Sequence, residues 1–204
     1  MAKLQGKVIT VGVTGASGAI YAQALLRLLD ADRRVAQVFL VASEAGLRLV
    51  STELGIVAAD GKKLPALLTG TSAKKFEYLP NKDIGASIAS GSAVVDGMVI
   101  IPCSAGALGS IAAGTAADLL ARAADVCLKE RRPLILCVRE TPFNRIHLRN
   151  MTLAAEAGAT IFPVIPAFYL NTADSTELAR QFVCRVLAHI GLPQPGAYVW
   201  KPEE

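Results

Sequence analysis

The chain is poor in the residues that build metal and redox centres. It has two histidines, and its four cysteines never fall in a Cys-x-x-Cys pair. His147 and His189 are too few and too separated for a metal site, and each reads as structural. Cys103, Cys127, Cys137 and Cys184 read as reduced core thiols of a cytoplasmic protein. Paired aspartates of the Asp-Asp-x-x-Asp kind are missing too. Asp30-Ala-Asp32 adjoins Arg33 in a turn, so a diphosphate site built on Mg²⁺ lacks its ligands and no metal is expected. Aromatics are 5% and charged residues 19%, so the apolar mass is Ala, Leu, Val and Ile. With 52% hydrophobic residues and a mean hydropathy of +0.43, a disordered or fibrous chain is excluded. An average this apolar in so small a chain points to buried subunit interfaces.

Length and charge narrow the class. The 204 residues suit one α/β domain spanning residues 1–204. The net charge is +4, yet the one dense basic run, Lys129-Glu-Arg-Arg132, is broken by an acid. A small anionic ligand therefore fits better than nucleic acid. Val8–Val13 after Lys3 and Lys7 imitates a signal peptide but dissolves into Thr14-Gly-Ala-Ser-Gly18. The uncharged stretch from Gly97 to Ala117 is nearly long enough to span a bilayer, but Gly97, Pro102, Gly106, Gly109 and Gly114 punctuate it. It reads as strand, loop and small-residue helix, and no membrane partner is expected.

Apolar runs alternate with helical patterns, the signature of a Rossmann or flavodoxin-like three-layer sandwich around a mostly parallel sheet. Strands are predicted at Val8–Val13, Gln37–Val41, Met98–Ile101, Leu134–Val138 and Thr160–Ile165. Helices are predicted at about Ala19–Leu29, Glu44–Leu54, Asp118–Arg131, Pro142–Ala157 and Ser175–Ile190, with Thr141 capping the fourth. Asp60–Lys82 reads as an irregular insertion with one short strand at Phe76–Leu79. Ligands in such folds sit beyond the carboxyl ends of the strands. Those ends carry Gly15-Ala-Ser17, Ser43, Pro102-Cys-Ser-Ala-Gly-Ala107, Arg139-Glu140 and Tyr169.

The loop Gly12-Val-Thr-Gly15-Ala-Ser-Gly18 follows a strand and opens a helix, so its N–H groups favour an anion. Its spacing is not Gly-x-Gly-x-x-Gly. The Tyr78–Lys82 spacing of a short-chain dehydrogenase contains Pro80 and Asn81, where a helix is required. Asp118, Arg122, Asp125 and Lys129 fall four, three and four apart, as ion pairs on one helix would. Leu178, Phe182, Arg185 and His189 share a helical stripe, and an arginine in a core-facing stripe wants an anionic partner. Arg139 and Glu140 end a buried strand and point to opposite faces. Without acid pairs, Lys129, Arg139 and Arg185 suffice to bind a monophosphate.

Several longer segments carry a resemblance: Ala89-Ser-Gly-Ser92, Gly97-Met-Val-Ile-Ile-Pro-Cys-Ser104, Arg122-Ala-Ala-Asp-Val-Cys-Leu-Lys-Glu-Arg-Arg-Pro133 and Val138-Arg-Glu-Thr-Pro142. Together with Gly15-Ala-Ser-Gly18, they resemble the UbiX flavin prenyltransferases from Lys7 to about Pro193. That resemblance implies a homododecamer binding FMN near its trimer interfaces. It implies transfer of a dimethylallyl group from dimethylallyl monophosphate to N5 and then C6 of reduced FMN, without metal. The prenylated FMN would pass to UbiD-type decarboxylases. By position, Gly15, Ala16, Ser17, Ser43, Ser104, Ala105, Gly106, Ala107 and Arg139 resemble FMN contacts. Lys129, Tyr169, Arg185 and Arg122 resemble prenyl-phosphate contacts. Glu53 and Glu140 resemble acids near the reacting flavin, with Ser17 beside them, and Trp200 is a candidate π-face for the allyl cation. The chain departs from the family at Phe168-Tyr-Leu-Asn-Thr172, where a histidine and a later proline are usual. The alternatives are a flavin-dependent cysteine decarboxylase, whose Pro-x-Met-Asn-x-x-Met-Trp motif is missing at Pro142-Phe-Asn144, and a non-catalytic FMN-binding protein.

Overall fold

The structure, a computed structural model, describes residues 5–58 and 60–199. Six strands are present among them: β1 Lys7–Val13, β2 Val35–Ala42, β3 Phe76–Pro80, β4 Gly97–Cys103, β5 Leu134–Val138 and β6 Thr160–Ile161. All pair in parallel in the order β3-β2-β1-β4-β5-β6. β4 and β5 are buried at every position and β1 from Val8 onward, as expected of strands covered on both faces. The edge strand β3 is buried only at Leu79.

The helices are α1 Ala19–Ala31, α2 Glu44–Leu54, α3 Leu64–Thr69, α4 Ala105–Ala112, α5 Leu119–Lys129, α6 Arg145–Glu156 and α7 Ser175–His189. Ile9, Val11 and Val13 face a core shared with α1, α3 and α7. Val8, Met98 and Ile100 face the other core, filled from α4, α5 and α6. The three layers put α5 and α7 on opposite faces of the sheet. Chain order reverses between β1 and β4, which opens a crevice beyond their carboxyl ends.

Three expectations need correction. The insertion is not irregular, because α3 fits between Pro65 near its start and the left-handed Gly70 that ends it, burying Leu64 and Leu68. The fourth predicted helix starts at Arg145 rather than Pro142. Asn144 and His147 form its capping box, so Thr141 is not the cap. The last strand is assigned only over Thr160–Ile161, although Phe162 and Val164 still donate to Leu136 and Val138 carbonyls. Pro163 lies between them and has no N–H for the ladder.

Candidate active site

The site begins where β1 and β4 end side by side. Thr14 is buried there, donating its Oγ1 proton to the Pro102 carbonyl (2.8 Å) and accepting from the Ser104 N–H (2.7 Å). Gly15 lies so close to α2 that any Cβ would collide with the Ala45 methyl, so only glycine fits. Ser43 caps α2 by accepting from the Gly46 N–H at 3.0 Å, and Ser104 caps α4 by accepting from Ala107 at 3.2 Å. Asp118 caps α5 through the Ala121 N–H at 2.8 Å. These three N-termini border a cavity of about 250 Å³ lined by Thr14, Gly15, Ser43, Ser104, Gly106 and Ala107, among others.

That arrangement suits a phosphate-bearing ring compound. Each capping serine uses its oxygen for the helix N–H, which leaves its hydroxyl proton to donate to an anion. The α2 and α4 dipoles add partial positive charge. Gly106 and Ala107 carry almost no side chain, so a flat ring meets little obstruction. An open groove of about 800 Å³ continues past Ser43, Ala45 and Asp118 toward Tyr78 and Lys82.

The α1 N-terminus is already occupied by the chain's own carboxylate. Glu53 accepts from the Gly18 N–H at 3.0 Å and the Ala19 N–H at 2.7 Å. The anion expected on the glycine loop at Gly18 is therefore Glu53, and a ligand phosphate is left the α2 and α4 ends. Burial pushes the Glu53 carboxyl up. The Ala19 and Gly18 N–H groups, the Ser17 hydroxyl and the Arg139 charge outweigh it and hold the group below its ordinary value. Ser17 and Arg139 from the loops after β1 and β5 and Glu53 from the end of α2 are thus brought together. A carboxyl lowered in the folded state stabilises above its unfolded value and loses that contribution as pH falls through the lowered one. The stability gap between parent and Glu53→Gln should be widest at neutral pH and narrow as the pH falls below the ordinary carboxylate range in thermal unfolding. A gap independent of pH would contradict the capping role of the ionised form.

Ala16 is buried beneath the loop, and Ala105 begins α4 beside Ser104 without facing the cavity. Arg139 is exposed, with its N–H donating to the Cys103 carbonyl at 3.0 Å. Glu140 is half-buried and accepts from the Thr141 N–H at 2.9 Å. Burial pushes the Cys103 and Cys127 thiols up to about 12 and about 11, which leaves them inert. Among the described residues no three His, Cys, Asp or Glu side chains come together as a metal cluster. No helix among them is long and apolar enough to cross a membrane.

The residues assigned to the prenyl phosphate fall into two groups. Arg185 and Tyr169 border a small cavity beside α7. Arg185 is not core-facing as its stripe predicts. The buried arc of α7 runs through Phe182, Val183, Val186 and Leu187, which sets Arg185 and His189 on the exposed flank. The guanidinium lies 5.8 Å from the Phe162 ring centroid and makes no ion pair among the described residues. Lys129 and Arg122 stand on α5, across the sheet, beside the Ala89–Ser92 loop. Arg122 bonds the Ala89 carbonyl (3.1 Å) and Asp125 (3.2 Å), and Lys129 pairs with Glu130 at 2.5 Å. Neither of the expected four-apart pairs, Asp118–Arg122 and Asp125–Lys129, forms along α5, because Asp118 is a cap and Asp125 takes Arg122. Trp200 lies outside the described residues. Sequence reasoning missed Thr14 as the tie between the loops and Asn81, whose side chain binds Asp118 and the Leu120 N–H at 2.9 Å each.

Residues 2–184 match the protein-family model described as Flavoprotein. Flavin prenyltransferase UbiX of Salmonella typhimurium is 44% identical over 190 residues, 93% of this chain and 94% of that protein. The chain belongs to the UbiX family of flavin prenyltransferases. A crystal structure of the family member AnUbiX (PadA1), in complex with FMN and dimethylallyl pyrophosphate, superposes with a TM-score of 0.86 at 35% identity, covering 98% of this chain and all of that one. The dodecameric FMN-dependent UbiX-like decarboxylase of Escherichia coli O157:H7 gives 0.85 at 38% identity, over 95% and 99% of the two chains. This UbiX-family fold is the doubly wound α/β sandwich expected, with a sheet that is parallel throughout.

Proposed function

We propose that this enzyme joins a dimethylallyl group from dimethylallyl monophosphate to reduced FMN, at N5 and then C6, and that the prenylated FMN serves a UbiD-type decarboxylase. The observation that carries the reading is the cavity where the α2 and α4 N-termini, capped by Ser43 and Ser104, meet beside Gly15. Membership of the UbiX family supports the chemistry. Bound FMN supplies the nucleophilic ring. The two serines and helix ends hold its phosphate, and Gly15, Gly106 and Ala107 let the ring approach the backbone. Ser17, Glu53 and Arg139 meet at the α1 N-terminus, on the loop that Gly15 opens.

Departure of a phosphate from an allylic carbon needs cations placed where negative charge grows. Lys129 and Arg122 on one face of the sheet and Arg185 with Tyr169 on the other cannot surround one phosphate within a single chain. The site is therefore completed between copies, in an assembly of the dodecameric kind. Exposed Phe143, Ile146 and Leu148 near and on α6, with Ile165 and Phe168 beyond β6, are apolar surface suited to such burial. Closing the ring consumes the allyl double bond, so one proton is delivered to the alkene as the C6 proton is taken up, and Glu140 or the departed phosphate is placed to carry both.

Titration with FMN should show stoichiometric binding, and light scattering should report a particle much larger than a dimer. A monomer that binds no FMN would remove the reading.

A further inference from the structure

The small cavity beside Arg185 has a wall that does not belong to the strand ends. It is formed by Ala197 and Tyr198, which fold back over α7. Their seat is Gln181, one helical turn before Arg185 and only 9% exposed. Its Oε1 accepts from the Tyr198 N–H at 2.8 Å, and its Nε2 donates to the Gly196 carbonyl at 3.1 Å and to Glu177 Oε1 at 2.9 Å. The amide thus reads the backbone of the segment at two points, as a neighbouring strand would. Glu177 takes the second amide proton and so fixes which way the group is turned. Arg180 grips both Glu177 and the Gly196 carbonyl, at 3.2 Å to the latter.

A polar side chain buried in the apolar arc of a helix is unfavourable unless its groups are satisfied, and an aliphatic residue would fill the same space. What the amide adds is position. With the segment seated, the Tyr198 ring lies 5.1 Å from the Tyr169 ring, and Tyr169 borders the same cavity as Arg185. The space left is about 20 Å³, room for little more than a water molecule, so a small shift of the segment changes what fits there.

We infer that Gln181 is a positioning residue for the prenyl-phosphate end of the reaction, acting through the Gly196–Tyr198 backbone and Tyr198 on Tyr169 and Arg185. The inference rests on the activity proposed above.

The test compares the full chain with Gln181→Met, which keeps the bulk and removes the hydrogen bonds, and with Tyr198→Ala at an exposed position. Dimethylallyl monophosphate affinity is read by calorimetry on the FMN-loaded protein, alongside prenylation kinetics and amide exchange. Both variants should bind FMN like the parent. Both should bind the donor about 10-fold more weakly, the loss appearing in KM with kcat nearly kept. Exchange at Tyr198 should quicken in Gln181→Met while β1 and β4 stay protected. In the double variant the two losses should not add, because they act on one contact. Parent-like donor affinity in either variant, additive losses, or loss of FMN in step with the donor would overturn the inference. A parent that binds the donor but makes no prenylated flavin would defeat the activity reading alone, because calorimetry still scores Gln181. A parent that binds no donor would defeat both.

Discussion

Arg185→Ala should leave FMN binding intact and cut the use of dimethylallyl monophosphate sharply. Losing one charge-assisted contact to a leaving phosphate is worth roughly 2–4 kcal/mol, or about 30- to 1000-fold in rate. The structure makes this a clean experiment. Arg185 sits on the flank of α7, stacked by Phe162 and without an ion pair among the described residues. Its removal leaves no buried partner uncompensated, and stability should change by no more than about 0.5 kcal/mol. FMN titration, unfolding temperature and initial rates on the same preparation decide the matter. Loss of FMN together with the rate would recast Arg185 as structural, and a parent-like rate would remove it from the phosphate site.

Glu140→Gln should spare both binding steps and slow product formation by about 100-fold or more, the usual range for a positioned acid or base. Glutamine keeps the shape and can still accept from the Thr141 N–H, as Glu140 Oε1 does at 2.9 Å. What it cannot do is take a proton. The measurement is the rate of prenylated flavin formation beside the two dissociation constants. An unchanged rate would assign the proton to the departing phosphate and leave Glu140 as a loop residue.

Much of this was legible in the sequence because local signals agreed with tertiary need. β5 and α2 fall where the residues place them, the first as an unbroken apolar run and the second over Glu44–Leu54. The hydroxyl and glycine residues after β1, β2 and β4 pointed to the cavity they line. What failed depended on long-range geometry. Thr141-Pro142 looks like a helix start, but only Asn144 makes the reciprocal bonds with His147. Short α3 hides behind lysines and a proline, because its stability comes from burying Leu64 and Leu68 rather than from its own pattern. The glycine loop advertises an anion site, and nothing nearby in sequence shows that Glu53 fills it from the end of α2. The stripe containing Arg185 is real, yet its rotation about α7 was set by where the sheet lies. Periodicity says which side chains share a face. It does not place Lys129 and Arg185 on opposite sides of the sheet, the arrangement from which the proposed site between copies is argued.

The central claim is that a dimethylallyl group ends up on the flavin. Incubating the parent protein with reduced FMN and dimethylallyl monophosphate, then weighing the flavin released, tests it directly. The account predicts a flavin heavier than FMN by one dimethylallyl group, less any proton displaced, with phosphate set free in equal amount. FMN of unchanged mass, bound by the protein and incubated with the donor, would contradict it.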